Sequence, residues 1–514
     1  MQYDDIIVGG GSCGAVLAAR LSEDPARRVV LLDAGPDYAT VDLTPVDLSD
    51  SWRMSLRDHD WGFTAEAVPG RAIPYPRGRV IGGSSAVNAT IALRGVPADY
   101  DEWAGFGNDA WGWANVLPYF RRLEDDAAGA DELHGRGGPI PIRRWRPDEL
   151  IPTQRAFFEV CRRLGFSEVA DHNHPEASGV GSFPQNRRGR LRVSTAIAYL
   201  LSARERLNLT IRPQCLVDRV LVEDRRAIGV EVISSAGRER IRGRRVTLAA
   251  GAIGSPAILL RSGIGPRDAL RELGIDPRVD LPGVGANLAD HPVTRLLLVP
   301  SAGSCDPQTP LAQVVLRYTA PGSGEFNDMQ QVIFSHVDVA AIGGPQAVAA
   351  VGAPLAIGLP VALERPRGRG RLSLASRDPR AKPTIELNFA ADPEDLRRLM
   401  EGVRLAWDIA HQPELARHID RVAVLTDEAM SSDEALAAYV RATVATQFHP
   451  CGTARMGPPN AAMAVVDQHC RLRGVERLRV VDASVMPTIP RANINLTCIM
   501  IAEYASDWLR NTVN

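Results

Sequence analysis

Lysine is almost missing from this chain: Lys382 is the sole one among 59 basic residues, the rest being arginine. Schiff-base catalysis needs a lysine amine, so that chemistry is set aside. Arginine stays protonated and is a poor proton-transfer group. Neither acid nor base is in excess, and the net charge of −2 gives no electrostatic case for a nucleic acid or an anionic membrane. Cys13, Cys161, Cys215, Cys305, Cys451, Cys470 and Cys498 are odd in number and form no CxxC pair. That spacing excludes a disulfide framework or a cysteine zinc site and fits reduced thiols in the cytoplasm. No long apolar run is free of breakers, because the uncharged stretch from Ala340 to about Leu363 carries Pro345, Pro354 and Pro360. It is read as a sheet strand with flanking loops, leaving no integral membrane segment. The first strand is read as beginning within a few residues of Met1, so no secretion signal and a cytoplasmic location are expected.

Glycine, by contrast, is plentiful and placed. Asp4 to Val8 is an apolar run ending in Gly9-Gly10-Gly11-Ser12-Cys13-Gly14, followed by an Ala/Leu-rich helical segment and a second apolar run ending at Asp33-Ala34. This is the pattern of a dinucleotide-binding βαβ unit. Gly9 permits the tight turn, Gly11 lets the backbone approach a pyrophosphate, and Gly14 lets helix pack on strand. Asp33 would bond the adenosine ribose, whether the dinucleotide is NAD or FAD. Pro76 to Gly95 contains a second close-approach loop, Gly82-Gly83-Ser84-Ser85.

With 514 residues the chain is long enough for more than one domain. Leu209 to Val232 alternates like paired strands, and Val246 to Ala250 is a buried strand running into a glycine turn and a helix. From about His291 to Leu425 the βαβ alternation gives way to separate strand-like runs, the signature of a largely antiparallel substrate domain. Helices are predicted from Asp392 to His411, from Val116 to Leu123 and from about Cys498 to Leu509. Asp171-His172-Asn173-His174 tempts a metal reading, but no cysteine or acidic partner sits at ligand spacing, and no metal is expected.

Two C-terminal passages carry candidate chemistry. In Gln447-Phe448-His449-Pro450-Cys451-Gly452 one histidine stands before a Pro/Gly turn, where a loop aims an imidazole able to take a proton near neutral pH. The other, Asp482-Ala483 through Asn493-Ile494-Asn495, places two asparagines before an apolar helix, and spacing alone favours helix capping by either.

Together these passages resemble the glucose-methanol-choline (GMC) flavoprotein oxidoreductases. Five passages occur in the family's order: Gly9–Gly14 with Asp33, Pro76–Gly95, Gly251–Gly265, Gly283–His291, and His449-Pro450 followed by Asn493–Thr497. The resemblance implies an α/β chain, α+β overall. A Rossmann-like FAD-binding domain with a parallel sheet would comprise 1–150, 205–292 and 440–514, and a substrate domain on a largely antiparallel sheet 151–204 and 293–439. It implies FAD rather than NAD. The dinucleotide would be held by Gly9, Gly11, Ser12, Cys13, Gly14, Asp33, Ala34, Gly82, Ser84, Asn88, the Val217 backbone, Asp482 and Ala483. Some members tether the flavin through a histidine in the first signature; Val87 stands there, so non-covalent FAD is expected. Ala89-Thr90 departs from the usual glycine and apolar residue.

His449 matches the family's active-site histidine, and Asn495 is matched to its partner position, which reverses the capping preference. The activity implied is oxidation of a small-molecule alcohol, with hydride leaving to flavin N5 and electrons passing to oxygen or to a quinone or other carrier. Gln447 makes the wall beside His449 polar and leans toward a dehydrogenase. Hydroxynitrile lyases and light-driven fatty-acid decarboxylases on the same fold are the alternative.

Overall fold

A computed structural model describes residues 2–511. Two large sheets dominate it. The first has seven strands in the order Leu209–Arg212, Val29–Leu32, Tyr3–Val8, Gly237–Leu248, Arg226–Ser234, Leu216–Glu223, with Leu478–Val480 also pairing with Gly237–Leu248. Val29–Leu32 is a continuous apolar run and Tyr3–Val8 ends in one, Ile6-Ile7-Val8, because these central parallel strands are buried. Gly237–Leu248 serves two registers. Its first half runs antiparallel to Arg226–Ser234, and its second half runs parallel to Tyr3–Val8, with Val8 opposite Leu248. The sheet is therefore parallel at its centre with an antiparallel meander on one side.

The second sheet has nine strands, centred on Pro292–Pro300, Leu355–Leu363, Met329–Val332 and Val314–Tyr318, antiparallel apart from the Glu168–Val169 edge pair. One face packs on the helix Pro393–Ala410, where a Cβ on Gly402 would meet Val361 at 2.4 Å. That helix begins where expected because Asp392 accepts hydrogen bonds from the amides of Glu394 and Asp395. Two smaller pairings bring distant parts of the chain together. Ala445–Thr446 pairs with Pro292 and Val293, and a four-stranded sheet joins Thr64–Val68 and Arg71–Pro74 to Arg371–Ser373 and Thr384–Glu386.

Three local expectations change. The stretch after Ala340 is not a strand with loops: Val339–Val351 is helical, with Asp338 accepting from the Ala341 amide, and it kinks at Gly344 (φ 68°) before Pro345. The strand begins only at Leu355. The helix around Val116 starts at Trp113. The C-terminal helix starts at Asn495, three residues before Cys498, so Asn495 is its first residue.

The few aromatic residues are concentrated where they fix that last helix. Trp111 stacks edge-on against Tyr504 and Trp508 at centroid distances of 5.4 and 5.6 Å, and Tyr119 stacks on Tyr504 at 4.3 Å. Arg20, Arg122 and Tyr199 converge on the buried Glu503. These contacts lock the helix against Gly14–Leu21 and so determine where its first turn points. Among the described residues no helix is long and apolar enough to cross a membrane.

Candidate functional site

The glycine loop is closed by the strand before it and the loop beside it. Gly9 has φ 98°, and a Cβ there would lie 2.6 Å from the Ala249 carbonyl oxygen; on Gly14 it would lie 1.7 Å from the Gly9 oxygen. These two glycines are demanded by packing. Gly11 differs, because a Cβ there would meet only the Gly83 Cα, at an ordinary 3.6 Å. The second glycine loop presses against the first, the Gly82 amide donating to the Gly10 carbonyl at 2.8 Å. Gly14–Leu21 opens with no side chain capping it. The Ala15 amide donates to the Gly11 carbonyl at 3.1 Å, and the rest of this helix start is open to an anion.

Asp33 closes the loop from the second strand. Its two carboxyl oxygens accept from the amides of Gly10 and Gly35, each at 2.7 Å. Burial pushes it up to about 6 despite those bonds. Ala34 sits in the same turn, and Cys215, two residues before Val217, donates its amide to the Asp33 carbonyl. Val217 is buried in its strand, with Arg261 at its carbonyl. Ser84 faces the Gly78 amide at 3.3 Å, and Asn88 accepts from the Thr90 amide at 2.9 Å. The Asp482 carboxylate is occupied by the protein itself, taking the amides of Gly251 and Ser484 and the hydroxyls of Ser255 and Ser484. It anchors the turn carrying Ala483 to the start of helix Gly251–Arg261.

His449 is reached by a sharp turn. Phe448 has φ 69°, unusual for an aromatic residue, and its amide is held by the Thr446 hydroxyl. Asp290 fixes the turn by accepting from the His449 amide at 2.8 Å, the Thr446 hydroxyl at 2.6 Å and the Tyr75 hydroxyl at 2.5 Å. Nδ1 of His449 lies 2.9 Å from Nδ1 of His291, and Nε2 of His291 lies 3.1 Å from the Pro490 carbonyl. A carbonyl only accepts, so His291 carries its proton on Nε2. Its Nδ1 then accepts from Nδ1–H of His449, which leaves the His449 lone pair on Nε2. Burial, followed by the neighbouring His291 and Arg77, holds His449 well below the ordinary histidine range, and burial takes His291 down to about 3. Both rings are neutral at physiological pH.

The residue at His449 Nε2 is Asn493, whose Nδ2 lies 3.2 Å away. Asn495, matched to this position from the sequence, is elsewhere: its Oδ1 accepts from the Ser12 hydroxyl at 2.8 Å, in the glycine loop. Cys13 joins the same junction, its thiol pointing at the Cys498 carbonyl at 3.1 Å. Asn493 lies in the extended segment two residues before the helix, and Asn495 opens it, so the two side chains face different partners. The structure thus brings Ser12, Cys13 and Asn495 together, and His449, Asn493 and His291 together. Asp290 and His291 were missed as site residues. Both stand in Asp290-His291-Pro292, whose polar pair between apolar stretches was the available signal.

These surroundings fit a dinucleotide. The Asn493 Oδ1, Asn495 Nδ2 and Thr90 Oγ1 are buried polar atoms without a protein partner, Asn495 stands beside the glycine loop at Ser12, and a Cβ on Gly11 in that loop would meet the protein only at an ordinary 3.6 Å. Among the described residues there is no comparable case for a metal. Glu124, Asp126 and His134 cluster closely, but Arg94 and Arg144 already pair with them. Burial opposes charge on His134, yet hydrogen bonds to Asp126, Asp171 and Glu124 push it up to about 11 and make it a third cation there.

Two family models, both described as GMC oxidoreductase, match residues 3–293 and 366–502. An uncharacterized GMC-type oxidoreductase of Rhodococcus erythropolis is 36% identical over 98% of this chain and 97% of its own length. An oxygen-dependent choline dehydrogenase of Photobacterium profundum is 34% identical over 98% and 92%. Among solved structures, pyridoxine 4-oxidase from Mesorbium loti superposes with a TM-score of 0.90 at 32% identity, covering 100% of both chains. A formate oxidase variant from Aspergillus oryzae gives 0.88 at 25% identity, covering 99% and 98%.

Proposed function

The chain belongs to the GMC oxidoreductase family and is an FAD-dependent oxidoreductase acting on CH–OH donors, and from that premise we propose that it oxidises a primary alcohol held between His449 and Asn493. The observation that carries this is the neutral His449 with its Nε2 lone pair beside the Asn493 amide. FAD, when bound, supplies the acceptor for the hydride that leaves the alcohol carbon. His449 Nε2 takes the hydroxyl proton, and the Asn493 Nδ2–H donates to the same oxygen as negative charge grows there. Choline and pyridoxine, named in two of the relatives, both carry a CH2OH group, which supports a primary alcohol. The acceptor of the electrons is oxygen or a carrier such as a quinone.

The remaining assignments follow from the same reading. Gly11, Ser12 and the first turn of Gly14–Leu21 hold the pyrophosphate, Asp33 and Ala34 the ribose, and the Val217 backbone the adenine. Gly82, Ser84 and Asn88 lie along the flavin, with Asn495 tying the ring end to Ser12, and Asp482 shaping the turn that presents Ala483. Val87 is buried among Leu48, Val80 and Ala86 and offers no nucleophile, in keeping with non-covalent FAD. The FAD part comprises 1–150, 205–292 and 440–514, and the substrate part 151–204 and 293–439. Apart from Pro292 and Ala445–Thr446, the strands of the two large sheets respect that division.

An anaerobic panel of primary alcohols tests the reading. Bleaching of the flavin absorbance by at least one is expected, which also separates this chemistry from a lyase or photodecarboxylase; a spectrum unchanged by every alcohol sinks it. Peroxide on turnover in air distinguishes an oxidase from a dehydrogenase. The two asparagines separate in a second measurement. Asn493→Ala should slow flavin reduction ~10- to 100-fold at unchanged FAD content. Asn495→Ala should instead weaken FAD binding by up to about 10-fold, the worth of one hydrogen bond. The reverse pattern would return Asn495 to the partner role.

A further inference from the structure

Glu364 lies one residue beyond the strand Leu355–Leu363, and its amide donates to the Asp328 carbonyl at 2.7 Å. It is completely buried, and neither carboxyl oxygen makes a well-formed hydrogen bond, although the Gln447 side chain is close enough to favour the carboxylate. Antiparallel pairing sets Val293 opposite Ala362, so two residues further along, His291 stands opposite Glu364. One carboxyl oxygen is 3.5 Å from His291 Nδ1, the atom that accepts from His449. An unpaired buried carboxyl is expensive, and a position beside a site where charge appears accounts for it.

The charge appears as follows. The alcohol O–H bond breaks and its proton goes to His449 Nε2; the C–H bond breaks and its hydride goes to the flavin; the C–O bond becomes a carbonyl. His449 is left with one positive charge, shared through the Nδ1–Nδ1 contact with His291. We infer that Glu364, acting through His291, is a positioning residue whose carboxylate holds this positive charge. The inference rests on the alcohol reading above.

The groups facing Glu364 decide when it is ionised. Arg317 favours the carboxylate, but its Nη atoms are turned to the His172 and Arg491 carbonyls. The Gln447 side chain also favours the carboxylate, whereas Asp99 and Asp290 oppose it. Burial outweighs them and takes Glu364 up to about 8. His291 at about 3 and His449 well below its usual range contribute no titration there. Flavin reduction by the alcohol should therefore rise with pH through about 8, as Glu364 becomes anionic.

The test is anaerobic stopped-flow reduction of the FAD-loaded enzyme by an alcohol that bleaches the wild type, from about pH 6 to about pH 10. The saturating rate constant should climb on the order of 10- to 100-fold in the wild type. Glu364→Gln should flatten the profile at the low plateau with alcohol affinity within about threefold, and Glu364→Asp should restore part of the rise. Infrared spectroscopy of the wild type needs no variant and no turnover: a buried protonated-carboxyl band should vanish with a midpoint near 8. An unchanged rise in Glu364→Gln, an effect confined to alcohol affinity, or no such band overturns the assignment to Glu364 while leaving the alcohol reading intact. Failure of every alcohol to reduce the wild type removes both.

Discussion

His449→Ala is expected to keep FAD bound and to slow anaerobic flavin reduction by alcohol ~10²- to 10⁴-fold, the range a positioned general base supplies. In the proposed reaction the ring receives the hydroxyl proton, and the His449 amide, not its imidazole, is what Asp290 holds. Truncation therefore removes the base without unpinning the turn. The Phe448 kink, the Thr446 and Tyr75 bonds and the cofactor loops should survive, so the oxidised flavin spectrum and FAD stoichiometry should match the wild type. His291 would lose its partner at Nδ1 but keep the Pro490 carbonyl at Nε2. Because both rings are neutral well below pH 6.5, lowering the pH from neutrality should not reveal a histidine limb in the wild-type rate. Full activity in His449→Ala would remove this residue from the mechanism. Loss of FAD alongside activity would show that the imidazole is structural.

Gly14→Ala should have the other large effect, and on a different observable. Its Cβ would sit 1.7 Å from the Gly9 oxygen and 2.9 Å from the Gly9 carbon, both backbone atoms that cannot turn aside. The start of helix Gly14–Leu21 must then lift off the strand that precedes it, at a cost of about 1–3 kcal/mol from overpacking. The same movement carries the first-turn amides away from the pyrophosphate. Purified Gly14→Ala should be largely apoprotein with a lowered melting temperature. Gly11→Ala is the informative contrast, since its Cβ touches the protein only at 3.6 Å. It should melt like wild-type apoprotein yet bind FAD at least ~10-fold more weakly, because the new methyl occupies space meant for a ligand. Equal FAD affinity in Gly11→Ala and wild type would remove this loop from the pyrophosphate site.

Some of this was legible in the sequence because it is local. The glycine loop needs particular residues at fixed short spacings, and Asp33 is found by counting to the end of the next apolar run. The turn after His449 is marked by its own Pro450 and Gly452. The change from βαβ alternation to antiparallel strands shows in the periodicity, and ordered passages spread along the chain suffice to place it in a family. The helix after Gly344 was hidden because an Ala/Val run broken by prolines has no period that distinguishes strand from helix.

Pairings across long separations belong to the tertiary structure. Asn493 and Asn495 are the same residue type two positions apart, and nothing local tells which faces His449. The choice is made by the helix starting at Asn495 and by its docking, through Glu503 on Arg20 of the first helix and through Tyr504 and Trp508 on Trp111 and Tyr119, which turns Asn495 toward Ser12 and leaves Asn493 to the histidine. Likewise His291 and Glu364 meet only because the strands following the one and preceding the other pair in a single antiparallel register. Sequence determined the proposed anchor of the cofactor and the histidine proposed to act on the substrate. Folding decided which residues stand behind that histidine, because a side chain's partner across a sheet or at a helix start is fixed by register and docking, which have no signature in the residues themselves.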